Sequence, residues 1–157
     1  MGQGGDRLDV MLPRDRGVFP GKPGQPSASA RLLLADDDAE IAALMCRILA
    51  RQGWQVVQVS DGAQAVEAWP AEGPPFDLVI LDVYMPRKNG YQAYRELRQL
   101  HPEATFLFVS GWSSDDTCVK QVMDEGWPCL LKPFDPQELI SLVRALLRAR
   151  SLPSASA

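Results

Sequence analysis

The sequence predicts an α/β fold in which helices cover both faces of a five-stranded parallel sheet. Five short apolar runs alternate with five stretches of helical periodicity between residues 31 and 150. Parallel strands need crossover connections, and these connections place helices on both faces of the sheet. The chain has 157 residues, of which 46% are hydrophobic, and this is enough to fill a single core.

The first half of this pattern contains two strands and two helices. Residues 31–35 form a short apolar run that predicts the first strand, and residues 39–52 carry apolar side chains at helical spacing. Residues 54–60 predict the second strand. A short helix is predicted over residues 63–69, and Pro70 stops it.

The second half contains three strands and three helices. The last helix is the strongest, with a proline in its first turn and arginines toward its end, as the helix dipole favours. The strands are predicted at residues 76–82, 104–110 and 129–132. The helices are predicted at residues 91–100, 114–126 and 136–150.

The two ends of the chain differ in composition from residues 31–150. Residues 1–30 hold six of the twelve glycines and four of the thirteen prolines. This composition predicts a flexible linker or tail, in which "VMLP" and "VFP" are too short to form elements of their own. Residues 151–157 are predicted to be a disordered tail.

Charge and composition exclude several classes of function. The net charge of -4 and the pI near 5.0 argue against nucleic acid and anionic membranes as direct partners. No apolar run approaches the roughly 18 residues that a membrane span needs. The three scattered cysteines fit reduced thiols. We therefore expect a cytoplasmic protein.

Polar residues stand at the carboxyl ends of four predicted strands. The first strand is followed by Asp36, Asp37 and Asp38, and the others end in Asp82, Ser110 and Lys132. These ends meet at one edge of a parallel sheet, which is where such sheets bind ligands. We therefore expect the side chains to lie together.

Crowded carboxylates repel one another unless a cation neutralises them, and an oxygen-rich acidic cluster suits Mg²⁺. Magnesium takes one or two protein carboxylates and leaves another acid free to react. Asp82 is then a candidate nucleophile that forms an aspartyl-phosphate, with Lys132 and Ser110 as hydrogen-bond donors to the phosphoryl oxygens.

The stretches "LLLADDDAEI", "LVILDVYMPRKNG", "FLFVSGW" and "LLKPF" resemble, in order and spacing, the receiver domain of two-component response regulators. The resemblance covers about residues 31–150 and implies a flavodoxin-like (CheY-like) fold with strand order 2-1-3-4-5. It also implies phosphoryl transfer from a phosphohistidine on a sensor histidine kinase or a histidine phosphotransfer protein. A looser similarity links the chain to receiver modules attached to hybrid sensor kinases; a stand-alone regulator fits equally well.

The resemblance assigns a role to each matching residue. Asp82 is the phosphoacceptor, Ser110 the switch hydroxyl and Lys132 the lysine that contacts phosphate. The implied Mg²⁺ ligands are Asp36, Asp37, Asp82 and the backbone carbonyl of Tyr84. The peptide bond between Lys132 and Pro133 is expected to be cis.

The triple "DDD" leaves a second acidic pair open, Asp37 with Asp38. The start of the first helix decides between the pairs, because Asp38 as its N-cap leaves Asp36 and Asp37 for the metal.

One residue departs from the family pattern. Three positions before Lys132 the family usually carries Tyr or Phe, whose ring moves inward when the switch hydroxyl turns toward phosphate. Cys129 stands there instead, and a thiol cannot transmit a displacement of that size. We expect signalling to be muted on this face or to use other side chains, with Trp112 as the candidate.

Three other functions are weaker. A phosphohydrolase of the haloacid dehalogenase type needs a second Asp where Tyr84 stands. A flavodoxin-type cofactor binder needs a phosphate cradle, and acids occupy that place. A protein-interaction module would have the same fold but would not be phosphorylated. The favoured interpretation is a switch rather than a turnover enzyme, with homodimerisation left open.

Overall fold

The computed structural model describes residues 10–11, 30–70, 74–112 and 116–151. None of the helices within these ranges is long and apolar enough to cross a membrane. The strands are β1 (Val10–Met11), β2 (Arg31–Ala35), β3 (Gln55–Val59), β4 (Leu78–Asp82), β5 (Phe106–Ser110) and β6 (Cys129–Leu131). The helices are α1 (Ala39–Ala50), α2 (Gly62–Ala68), α3 (Gly90–Leu100), α4 (Thr117–Asp124) and α5 (Pro136–Ser151).

The strands form one sheet in the order β1-β6-β5-β4-β2-β3. Strands β2 to β6 are parallel to one another. If these five strands are numbered 1 to 5 along the chain, their order across the sheet is 2-1-3-4-5. This confirms the predicted flavodoxin-like, doubly wound architecture with five parallel strands and five helices.

The sheet has one strand that was not predicted. Val10 pairs antiparallel with Leu130 and Met11 with Cys129, so that β1 extends the sheet beyond β6. The prediction that "VMLP" is too short to form an element is therefore wrong. An edge strand presents unpaired backbone N–H and C=O groups, and two extended residues can pair with them without any apolar run. "VFP" and the other residues from 1 to 29 lie outside the described ranges.

The two faces of the sheet carry separate cores. Alternate residues of the parallel strands point to opposite faces, as the pleat requires. On one face Leu32, Leu34 and Ile80 pack under α1 and α5. On the other face, side chains such as Leu33 and Phe106 pack with residues of α2, α3 and α4. Both faces are thus covered, which is why the central strands are apolar throughout.

Every predicted element exists, and its ends differ from the prediction by at most three residues. The largest difference is at the start of α4, which was predicted at residue 114 and begins at Thr117. Asp116 caps this helix, because its side chain accepts hydrogen bonds from the amides of Cys118 and Val119. At the carboxyl end of the chain, residues 152–157 lie outside the described ranges.

Candidate functional site

The acidic site is built where two neighbouring strands end. In the parallel pair of β2 and β4, Ala35 lies opposite Leu81, so that Asp36 and Asp82 emerge at the same edge. One carboxylate oxygen each from Asp36, Asp37 and Asp82 lie within 4.8 Å of one another. Asp36 and Asp82 are only 1% and 7% exposed, whereas Asp37 is open to solvent.

Lys132 brings one positive charge to these acids. Its Nζ lies 2.9 Å from Oδ2 of Asp36 and 3.4 Å from Oδ2 of Asp82. Lys132 follows β6, and its backbone N–H donates to the carbonyl of Ser110 at 2.7 Å. The peptide bond to Pro133 is cis, as expected. Asp36, Asp37, Asp82 and Lys132 are called the acidic pocket below.

The charges of the acidic pocket do not balance. Burial and, after it, the nearby charge of Asp36 raise the pKa of Asp82 to about 7, although Lys132 opposes the rise. Burial by itself lowers the pKa of Lys132, but the hydrogen bond to Asp36 and the charges of both acids raise it overall. The lysine therefore stays charged, whereas the ionised form of Asp82 is energetically unfavourable.

The third acid of the triple has a different partner. Oδ1 of Asp38 accepts hydrogen bonds from the amides of Glu40 at 3.1 Å and Ile41 at 3.2 Å, and Asp38 is the N-cap of α1. Its own amide donates to Oδ1 of Asp36 at 2.9 Å. Because its carboxylate is used to cap the helix, this geometry favours Asp36 with Asp37 as the acidic pair.

The loop between β4 and α3 is held close against the acidic pocket. A Cβ built on Gly90 would lie 2.2 Å from the carbonyl oxygen of Asp82, so only glycine fits there. Arg87 has a positive φ of 66°, and its NH2 lies 2.8 Å from Oδ2 of Asp61. Sequence reasoning assigned no role to Arg87 or Asp61, because no local pattern pairs residues 26 positions apart.

Ser110 ends β5 beside this pocket and is fully buried. In the register of β4 and β5, Asp82 pairs with Val109, which places Ser110 one residue further along the same edge. Its Oγ accepts a hydrogen bond from the amide of Trp112 at 2.9 Å.

Two exposed aromatic rings stand at the rim of the site. Trp112 is 58% and Tyr84 36% exposed, and the two rings meet edge to face with 5.6 Å between centroids. The hydroxyl of Tyr84 donates to the carboxylate of Asp116. Sequence reasoning named Trp112, and Tyr84 for its backbone carbonyl, but it assigned no role to Asp116, which fell inside the helix predicted at residues 114–126.

Cys129 is fully buried at the start of β6. It packs in the core with Phe106, Phe108 and Tyr94. Burial and, to a smaller extent, the charge of Asp82 raise the pKa of its thiol to about 12. The thiol therefore stays neutral and behaves as a small apolar side chain.

The donor set of the acidic pocket fits a hard divalent cation. Three carboxylates supply oxygen atoms close enough to share one ion, and Asp37 leaves the cluster open to solvent for water ligands. The raised pKa of Asp82 is the electrostatic cost that a bound cation would relieve.

A family model described as "Response regulator receiver domain" matches residues 32–144. The chain therefore belongs to the response regulator receiver domain family.

Known proteins with similar sequences include kinases and regulators. The chain is 34% identical over 121 residues to a protein named sensor kinase CckA from Brucella abortus, covering 77% of this chain and 13% of that protein. It is 34% identical over 120 residues to the transcriptional regulatory protein CpxR from Escherichia coli, covering 75% of this chain and 49% of that protein. The chain thus spans half or less of these relatives.

Similar solved structures include response regulator proteins. The response regulator protein TrrA from Thermotoga maritima, solved in complex with Mg²⁺ and BeF, is 25% identical with a TM-score of 0.64. The similarity covers 74% of this chain and 98% of that one.

Proposed function

We propose that this chain is a phosphorylation-operated switch that accepts a phosphoryl group on Asp82. The carboxylate oxygen attacks the phosphorus of a phosphohistidine, the P–N bond breaks, and its electron pair returns to the imidazole nitrogen. The convergence of three carboxylates and the Lys132 ammonium at one strand edge supports the proposal above all.

We assign the residues at this site to two roles, metal binding and contact with the phosphoryl group. Asp36, Asp37, Asp82 and the carbonyl of Tyr84 would hold Mg²⁺, which when bound screens the charge of the phosphoryl oxygens. The ammonium of Lys132, already within reach of Asp82, would donate to one phosphoryl oxygen, and the Ser110 hydroxyl to another. Transfer of this kind depends on positioning and charge neutralisation rather than on turnover chemistry.

The partners follow from the same chemistry. We propose that the donor is a sensor histidine kinase or a histidine phosphotransfer protein. The similarity to a protein named sensor kinase supports an attached kinase domain, and the similarity to a transcriptional regulator supports a separate one. A cytoplasmic location and homodimerisation stay predictions.

The test is incubation with acetyl phosphate and Mg²⁺, followed by intact mass measurement. We expect one phosphoryl adduct in the wild-type chain and none in Asp82→Asn. The matched control is Asp38→Asn, which removes a neighbouring carboxylate but keeps a good N-cap, and should retain the adduct. An adduct that persists in Asp82→Asn contradicts the proposal, and a wild-type chain that never gains one favours the non-phosphorylated interaction module.

A further inference from the structure

A tyrosine from the rim of the acidic pocket is hydrogen-bonded to the N-cap residue of a helix that lies far along the chain. The hydroxyl of Tyr84 lies 2.7 Å from Oδ1 and 2.9 Å from Oδ2 of Asp116. Tyr84 stands in the loop two residues after Asp82, and Asp116 is the N-cap of α4. This contact is called the Tyr84–Asp116 bridge below.

The carboxylate of the bridge also holds the first turn of α4. Oδ1 of Asp116 accepts hydrogen bonds from the amides of Cys118 at 2.9 Å and Val119 at 3.1 Å. These amides belong to the group of helical N–H donors that have no partner within the helix. A change at Tyr84 therefore reaches the first turn of α4 through the side chain of Asp116.

Trp112 joins the bridge to the buried end of β5. Its ring lies edge to face against Tyr84, and its amide donates to Oγ of Ser110 at 2.9 Å. A continuous series of contacts thus runs from Ser110 through Trp112 and Tyr84 to Asp116.

Among the described residues, position 129 on the other side of the pocket offers no comparable connection. Position 129 carries a thiol that is fully buried in the core, so no ring there can move between an exposed and a buried state.

We propose that Tyr84 is a positioning residue that couples occupancy of Asp82 to the first turn of α4. This inference rests on the proposed function. When the Ser110 hydroxyl turns to donate to a phosphoryl oxygen, its Oγ no longer accepts the amide of Trp112. The Trp112 ring then shifts against Tyr84, and the Tyr84 hydroxyl leaves Asp116. The bond at Ser110 is the contact that differs between the two states, as any such shift requires.

The readout is amide hydrogen exchange of Cys118 and Val119, measured by NMR with and without saturating beryllofluoride and Mg²⁺. Occupancy is followed separately by the fluorine signal of bound beryllofluoride in each protein. In the wild-type chain we expect exchange of both amides to become about threefold faster on saturation, because the carboxylate that holds them loses its tyrosine partner.

Two variants remove the bridge from opposite sides. Asp116→Ser keeps a capping hydroxyl but removes the charged acceptor, and Tyr84→Phe keeps the ring and the backbone carbonyl. In both, the exchange rates of the two amides should no longer respond to saturation. A merely structural role would change the rates equally in both states and leave the response intact.

The matched control is Tyr91→Phe. Its hydroxyl lies 3.1 Å from a carboxylate oxygen of Glu125, the C-cap of the same helix α4, so the substitution removes a similar bond at the other end. This variant should keep the full threefold response.

The outcomes separate the two proposals. Bound beryllofluoride with unchanged amides in the wild-type chain, or an undiminished response in Asp116→Ser or Tyr84→Phe, overturns the coupling alone. Absence of the fluorine signal in the wild-type chain, or its persistence in Asp82→Asn, overturns the proposed function and the coupling with it.

Discussion

The acidic pocket and the aromatic cluster of Tyr94, Phe106, Phe108 and Trp127 both contain buried polar groups, and the two regions differ in charge rather than in hydrogen bonding. The hydroxyl of Tyr94 accepts from Nε1 of Trp127 at 3.2 Å and from Arg98 at 2.8 Å, and it lies 3.1 Å from Oε1 of Glu125. Across the described residues, no buried side-chain nitrogen or oxygen lacks a hydrogen-bond partner. The buried polar atoms of the aromatic cluster therefore all have hydrogen-bond partners within the protein.

The acidic pocket, in contrast, has a negative charge that its own side chains do not balance. Two buried acids and one exposed acid face a single lysine, and burial together with the charge of Asp36 raises the pKa of Asp82 to about 7. In a region that only stabilises the fold, the side chains can supply all the hydrogen bonds and charges that their neighbours need. The acidic pocket instead keeps an excess of negative charge, which a bound cation would balance. Uncompensated charge in a buried region, rather than burial alone, marks the functional site.

The largest expected effect tests the cluster. Phe106 is fully buried, and its ring centroid lies 4.8 Å from that of Tyr94 and 5.6 Å from that of Trp127. Phe106→Ala should lower the free energy of unfolding by about 3–5 kcal/mol, because it leaves a cavity between these rings. Urea unfolding measures the loss. Leu100→Ala, at a side chain that is 60% exposed, should change it by less than about 0.5 kcal/mol, and a comparable loss there would refute the contrast.

The second-largest expected effect is a gain in stability, and it concerns Asp82 in the acidic pocket. The folded-state pKa of Asp82, about 7, lies above its ordinary value. The contribution of this group to stability is therefore full below that ordinary value and is lost as the pH rises through about 7. In the presence of a chelator, Asp82→Asn should raise the free energy of unfolding by about 1–4 kcal/mol near pH 8.

The pH dependence and the metal sharpen this prediction. The gain from Asp82→Asn should shrink as the pH falls toward about 5, where the wild-type carboxyl is protonated. Added Mg²⁺ should stabilise the wild-type chain and reduce the gain, since it binds the folded state. Urea unfolding at several pH values, with and without the metal, gives both results. A variant that is less stable than the wild-type chain in chelator at high pH would show that the pocket carries no excess charge.

A third, smaller effect returns to the cluster. Tyr94→Phe removes the hydroxyl that Trp127 and Arg98 donate to, and it should lower the free energy of unfolding by about 1–2 kcal/mol. The loss should not depend on Mg²⁺, because Tyr94 lies outside the pocket. Thermal and urea unfolding measure it, and a magnesium-dependent loss would mean that the two regions are not separate.

The fold was predictable because its signals are local. Alternating apolar and helical stretches predict the five parallel strands, and a single capping residue such as Asp38 places the start of a helix within one turn. The acids of the pocket were predictable for a related reason, since strands that are parallel must end at one edge.

Contacts between distant residues without a shared pattern were not predictable. The bond from Tyr84 to Asp116 joins positions 32 residues apart, and neither side chain stands at the end of a strand. The pairing of Val10 and Met11 with β6 depends on an available sheet edge and on backbone groups that every residue carries. Nothing in residue type distinguishes these partners from others.

The smallest effect concerns Cys129, which lies between the two regions. It packs with the aromatic cluster, and the charge of Asp82 contributes to the rise of its pKa to about 12. Cys129→Ala should lower the free energy of unfolding by about 1 kcal/mol, the value of one buried apolar group. Urea unfolding at several pH values tests the size and the pH dependence of this cost.

The pH dependence distinguishes this residue from its acidic neighbour. Because the folded-state pKa of the thiol is raised, its contribution is full below the ordinary thiol pKa and is lost as the pH rises toward about 12. The cost of Cys129→Ala should therefore be constant up to about pH 8 and decrease at higher pH. Asp82 should already change its contribution near pH 7. A cost that varies between about pH 5 and pH 8 would place the thiol in the charge balance of the pocket rather than in the neutral core.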